Sequence, residues 1–282
     1  MQITTGGNML NFGYWDDKTE NPLQAQRKLS RMVGEFASCK EARKVVDVGS
    51  GFSAPALQWN SQYDSMKILC VNLNLQQLKT AVALESRSQK VDHNIRSVSL
   101  ENLRNNISYI NATSTTLPLR NNSVDRVIAF ESAQHFKPLI QFIRESNRIL
   151  ENLGLLVITM PVITSVSNLL PIPLFVKLGI LSVTWASEHY RLEHVRSIIK
   201  TQGFQIKDIQ YIGSNVYQPL ASYYIDNRER LKTMIIREYP KSLEAFVYKS
   251  LLKMKVASHH GIIDYVLLKA KKYESIECRS QH

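Results

Sequence analysis

Cysteine is scarce in this 282-residue chain: Cys39, Cys70 and Cys278 are odd in number and share no metal-ligand spacing. That excludes a disulfide framework, and the economical expectation is a reducing, cytoplasmic compartment with no bound metal. Also missing is an uninterrupted apolar run of ~20 residues, the length a membrane-crossing helix needs. The closest approach lies between Asn152 and Ser187, where Lys177 is the only charged residue, but Pro161, Pro171 and Pro173 divide it. The opening residues, MQITTGGNMLNFGYW, hold neither a basic segment nor a continuous apolar stretch, so no secretory signal is expected. Internal repeats and low-complexity tracts are absent.

Acidic residues are outnumbered, 24 against 35 Lys and Arg, which leaves a formal net charge of +11 and makes anionic partners worth weighing. The basic residues are dispersed, however, with short concentrations only at Arg228 to Lys232, Lys249 to Lys255 and Lys269 to Lys272. A solvated basic surface is the expectation, against a nucleic-acid track. Such a surface could also rest against anionic lipid headgroups, each basic residue contributing about 1 kcal/mol near the membrane. A hydrophobic fraction of 44% and a charged fraction of 21% fit an ordinary globular chain, long enough for one domain with additions.

The most informative segment present is VVDVGSGFS, Val45 to Ser53. Val45, Val46 and Val48 favour a buried strand, while Gly49 and Gly51 allow a tight turn and close backbone approach to a ligand before a helix begins near Ala54. Alone, this pattern also suits a ligand-free strand-to-helix turn. Strands follow near Lys67 to Asn72, Ile107 to Asn111, Asp125 to Phe130 and Leu155 to Met160, with helices between most of them, so the crossovers imply a parallel sheet. Before them, Asn21 can cap a helix reaching Ala37, with Pro22 at its first position and Leu23, Leu29, Met32 and Val33 roughly on one face.

In order and spacing, the glycine loop, the polar end of ILCVNLNLQQLKTA, the Leu117-Pro118 turn after NATSTT, and AFESAQHF resemble the class I S-adenosylmethionine-dependent methyltransferases. The similarity is to the small-molecule branch related to sterol, quinone and macrolide methyltransferases, and it covers about Phe12 to Phe204. It implies an α/β fold: a doubly wound, mostly parallel seven-stranded sheet with helices on both faces, a sixth strand after Gly203 and an antiparallel last strand from Gly261. A single domain over 1–282 is expected, with a lid at 1–40, a core at 41–212, a helical insertion and substrate cover at 213–260, the last strand at 261–270 and a tail at 271–282.

The resemblance assigns S-adenosyl-L-methionine as cofactor. It implies that Asp47 holds the aminoacyl end through the loop backbone or water, that Gly49 and Gly51 let the methionine and ribose portions lie against the loop, and that Tyr14, with Trp15 in the aromatic entry segment NFGYWDD, folds over the cofactor. The same two rings equally suit a hydrophobic staple on the first helix. Ser53 stands where a third glycine is common. Where the family has a ribose-binding acid, this chain offers Asn72 or Asn74, with Gln77 close behind; a neutral amide in place of a carboxylate costs roughly 1 kcal/mol, about fivefold in affinity. Ala112, Thr113 and Ser114 occupy the stretch where an acid often faces the adenine.

Methyl transfer asks little of side chains beyond alignment, and a base matters only when the nucleophile must lose a proton. Glu131 and His135 are the catalytic candidates, and a histidine can take a hydroxyl proton near neutral pH. His135 equally suits a helix-capping role. His189 is a distant second; His194 reads as surface, and His259 and His260 as loop. The apolar stretch from Leu169 to Trp185 suits either a cover for an apolar acceptor or plain core packing. The expected activity is methylation of a hydrophobic small molecule, oxygen favoured. An RNA or protein methyltransferase and a silent adenosyl-binding module remain the alternatives, the former weakened because AFESAQHF lacks the Pro-Pro-aromatic signature of many base-methylating relatives.

Overall fold

The computed structural model describes residues 7–63, 65–92, 106–164 and 190–274. Seven strands form one sheet: β1 (Lys44–Val48), β2 (Lys67–Asn72), β3 (Ile107–Asn111), β4 (Val124–Phe130), β5 (Leu150–Ile163), β6 (Phe204–Tyr211) and β7 (Ile263–Lys272). Their spatial order is β3-β2-β1-β4-β5-β7-β6. β1 to β5 pair in parallel, and β7 runs antiparallel to both β5 and β6. This is the doubly wound sheet expected. β4 starts one residue earlier than expected, β5 runs well beyond Leu155–Met160 at both ends, and β7 is displaced by two residues.

β1 is central, and its four residues from Val45 to Val48 are all buried because helices cover both faces of the sheet. Alternation sends Val45 to one core and Val46 and Val48 to the other. The first core takes Leu29 and Val33 from α1 (Pro22–Phe36) and Trp59 from α2 (Ala54–Gln62). The second takes Phe142 and Ile143 from α4 (Leu139–Ile149) and Val195 and Ile199 from α5 (Leu192–Thr201), while α3 (Leu75–Asp92) follows β2. α1 begins as its sequence dictates: Pro22 opens it and the Asn21 side chain accepts from the Gln24 N–H at 3.0 Å.

Between β6 and β7 the insertion folds as three helices, α6 (Tyr217–Asp226), α7 (Arg228–Glu238) and α8 (Lys241–His259). Tyr224, Leu231 and Ile235 give it a small core of its own, and buried Glu244 accepts from the Tyr224 hydroxyl and from Arg228, whose guanidinium lies 3.5 Å from the centre of the Tyr248 ring. His259 is the last residue of α8, not loop; His259, His260 and, on α5, His194 are exposed. Among the described residues no helix is long and apolar enough to cross a membrane. His189 and the stretch from Leu169 to Trp185 lie outside the described residues.

Lys272, expected in the tail, closes β7 instead. Only 8% exposed, it donates to Asn122 Oδ1 and to the carbonyls of Asn147 and Leu150, each at 2.7 Å. Burial holds its pKa below the ordinary lysine value. Lys272→Met keeps the stem but strands these acceptors, so urea unfolding should show a loss of about 1–3 kcal/mol with an unchanged m-value.

Candidate active site

A cavity of about 590 Å³ opens where β1, β2 and β4 end, the place where parallel α/β sheets bind ligands, and its size suits a small-molecule site of about 300–1,000 Å³. The turn after β1 forms its floor. Gly49 has φ +78, and a Cβ there would stand 2.4 Å from Ser132 Cβ. The Ser132 hydroxyl donates to the Val48 carbonyl at 2.6 Å, so the ends of β1 and β4 are locked together beneath the cavity. Gly51 also has positive φ, +56, but a Cβ there would meet only Leu10 Cδ1, at 3.2 Å. Ser53 adopts the left-handed backbone, φ 55, that a third glycine would favour.

Asp47 lies on β1 beneath this turn and does not itself line the cavity. It is 2% exposed, its carboxylate accepts no hydrogen bond from any described residue, and burial pushes its pKa up to about 7. Asn72 closes β2 facing the cavity, with its Nδ2 donating to Gln77 Oε1 at 2.7 Å. Gln77, also lining the cavity, therefore orients Asn72. Asn74 lies outside the lining: its Oδ1 accepts from the N–H groups of Gln76 and Gln77 at the start of α3, as a helix-capping side chain does.

Ala112, Thr113 and Ser114 line the side below β3. The loop they begin is pinned by Arg148 of α4, which donates to the carbonyls of Leu117 and Leu119 while paired with Glu145. On the β4 side, Glu131 follows the strand at φ 50, and its Oε1 accepts from the Phe12 N–H at 2.9 Å and the Tyr265 hydroxyl at 2.8 Å. Burial of its carboxyl group outweighs these two donors and pushes its pKa up to about 8. His135 ends the short turn Ala133–His135 and lines the cavity; partial burial lowers its pKa from the ordinary 6.5.

The entry segment reaches the site earlier than its aromatic pair suggests. Leu10, Asn11 and Phe12 line the cavity, whereas Tyr14 and Trp15 do not. Gly13, at φ +87, turns the chain away; the Tyr14 N–H then bonds Ala25 O on α1, and Lys28 lies over the Tyr14 ring. Trp15 faces the insertion, where its backbone N–H donates to the Asn215 carbonyl and its ring lies 5.4 Å from that of Tyr223. Of the residues not singled out in the sequence, Asn11, Phe12, Gln134 and Tyr265 matter most. Asn11 and Phe12 lay within the entry segment NFGYWDD and Gln134 within AFESAQHF, whereas Tyr265 is brought in by β7 from more than 130 residues away.

Raised carboxyl pKa values carry a stability signature. Asp47 and Glu131 hold protons in the folded state that they release in the unfolded chain above the ordinary carboxylate values near 4. Their contribution is therefore complete below about pH 4 and lost as pH rises through about 7 and then 8. The melting temperature of the ligand-free protein should fall across that window, and Glu131→Gln should flatten its upper part.

The arrangement suits a nucleoside with a charged arm: a glycine turn without side chains, an oriented amide at the end of β2, and buried amides near β4, where Asn11 Nδ2 and Oδ1 and Gln134 Oε1 have no hydrogen-bond partner. Sheet order and site together define a Rossmann-like methyltransferase architecture. Residues 46–158 match the family described as a methyltransferase domain. The erythromycin 3''-O-methyltransferase of Saccharopolyspora erythraea is 24% identical over 96% of this chain and 86% of its own length. The 27-O-demethylrifamycin SV methyltransferase of Amycolatopsis mediterranei is 26% identical over 51% of this chain and 48% of its own. The crystal structure of the cyclase SpnF superposes with a TM-score of 0.70 at 19% identity, covering 96% of this chain and 91% of that one. The match at residues 46–158, these relatives and the sheet order together support a class I S-adenosylmethionine-dependent small-molecule methyltransferase.

Proposed function

We propose that this enzyme methylates a hydroxyl group of a hydrophobic small molecule, with His135 as the base. The observation that carries the reading is a titratable imidazole, its pKa below 6.5, lining the same cavity as the glycine turn and an apolar wall that includes Phe12, Phe52, Phe130 and Phe136. That wall suits an apolar acceptor. Two relatives bear O-methyltransferase or demethylrifamycin methyltransferase names, which supports oxygen as the acceptor atom.

S-adenosylmethionine, when bound, supplies an activated methyl group on a sulfonium. In this assignment Gly49 and Gly51 give it room, Asn72 held by Gln77 meets the ribose, and Ala112, Thr113 and Ser114 border the adenine. His135 Nε2 takes the hydroxyl proton. Gln134 Nε2 stands 3.5 Å from that nitrogen, a long contact that the incoming hydroxyl would displace. Glu131 keeps the entry segment in place through Phe12. Residues 1–40 would serve as lid and 213–260 as acceptor cover, the second supported by the Trp15 and Asn215 contacts that tie the two segments together. Incubating the enzyme and a metabolite extract with methyl-labelled S-adenosylmethionine tests the reading. Label in an apolar product, as an ether, supports it; label in RNA or protein, or none in any fraction, overturns it.

A further inference from the structure

Native proteins rarely bury a polar side chain without a partner, because each such group costs about 1–3 kcal/mol. Asn11 is 4% exposed, and neither its Nδ2 nor its Oδ1 has a partner. Gln134 is 5% exposed; its Nε2 donates to the Glu131 carbonyl at 2.8 Å, but its Oε1 has none. Both residues line the same cavity. The backbone on either side of Asn11 is well held: Gln26 donates to the carbonyls of Met9 and Asn11, and the Phe12 N–H bonds Glu131. The fold thus fixes an unsatisfied amide in the cavity wall.

Its position narrows what it meets. Leu10 lies against Gly51, and Phe12 is bonded to Glu131 at the end of β4, so Asn11 stands between the glycine turn and β4. The ribose and adenine candidates Asn72, Thr113 and Ser114 belong to the β2 and β3 side, and the sheet order β3-β2-β1-β4 separates the two halves. An amide lacking both a donor's and an acceptor's partner matches a group that carries both charges. We infer that Asn11 and Gln134 bind the aminoacyl arm of the cofactor: Asn11 Nδ2 donates to the α-carboxylate, while Asn11 Oδ1 and Gln134 Oε1 accept from the α-ammonium. The inference rests on the cofactor reading above and adds to it the residues that recognise one end of that ligand.

The test uses two probes that differ in that arm. S-adenosylhomocysteine has it; 5'-methylthioadenosine shares the nucleoside and thioether but lacks it. Asn11→Leu keeps the shape and removes both polar atoms. Calorimetry should show S-adenosylhomocysteine weakened about ten- to a hundredfold, as expected for lost hydrogen bonds to charged groups, with 5'-methylthioadenosine changed by less than about twofold. The melting temperature of the ligand-free variant should equal or exceed that of the wild type, since an unpaired buried amide has gone. Parallel weakening of both probes, no weakening of either, or a destabilised ligand-free variant would each overturn the inference. A wild-type protein that binds both probes separates that failure from failure of the cofactor reading, in which the wild type binds neither.

Discussion

His135→Ala is expected to lower turnover by ~10²–10⁴-fold while S-adenosylhomocysteine binding stays close to the wild type, the usual contribution of a positioned base. The pH profile identifies which group takes the proton. Burial lowers the His135 pKa, so the wild-type rate should hold down to below pH 6.5 and then fall as the imidazole becomes protonated. Were Glu131 the base, the rate would fall instead as pH drops through about 8, and Glu131→Gln would reproduce the loss. With His135 in the role, Glu131→Gln should cost far less, because an amide oxygen can still accept from the Phe12 N–H and the Tyr265 hydroxyl. A His135→Ala enzyme that turns over nearly normally would place the acceptor among nucleophiles that carry no proton to lose, and oxygen transfer would lose its side-chain support.

Gly49→Val should remove cofactor binding, and by a route that the glycine pattern alone does not reveal. Close approach of a ligand is the reason the motif suggests. The nearer obstacle is protein: the new Cβ would stand 2.4 Å from Ser132 Cβ, at a φ of +78 that a branched residue avoids. Strain at such a φ and overpacking contribute about 1–3 kcal/mol each, so thermal unfolding should show a loss of about 2–6 kcal/mol together with the loss of binding. Gly51→Ala provides the contrast. Its Cβ meets only the flexible end of Leu10, so stability should fall by about 1–2 kcal/mol, the cost of the left-handed backbone. Equal stability of Gly49→Val and the wild type in a melting experiment would show that the β1 and β4 ends are not locked through Ser132.

Much of the fold was legible because its signals are local. The valines of β1, Asn21 before Pro22, and Gly203 ending a helix act through their own backbone preferences, and the structure has a strand, a cap and a helix end at those positions. Strand lengths were less legible. The far end of β5, Pro161 to Ile163, owes its order to pairing with Tyr265 to Ile263 of β7, and the last two residues of β7 owe theirs to pairing with Phe204 and Gln205 of β6 and to the hydrogen bonds of Lys272, all contacts between residues distant in the sequence.

The candidate site divides in the same way. Residue types and spacing sufficed to bring Gly49, Gly51, Asn72, Gln77, Thr113, Glu131 and His135 to one cavity, since each sits at or just beyond the end of a strand and parallel pairing aligns those ends. Asn74 was indistinguishable from Asn72 in one dimension; helix capping claims the first and the cavity the second. Tyr14 and Trp15 drew attention as aromatics, yet Gly13 turns them away and leaves Asn11 and Phe12 facing inward. By itself, then, the sequence determined the order of strands and helices and the chemistry carried at the strand ends, because hydrophobic alternation and turn residues act over a few positions. Tertiary structure alone decided which amides stay unpaired, that Tyr265 reaches Glu131 and that burial moves the carboxyl and imidazole pKa values, because hydrogen-bond partners and desolvation depend on neighbours that only the folded chain brings together.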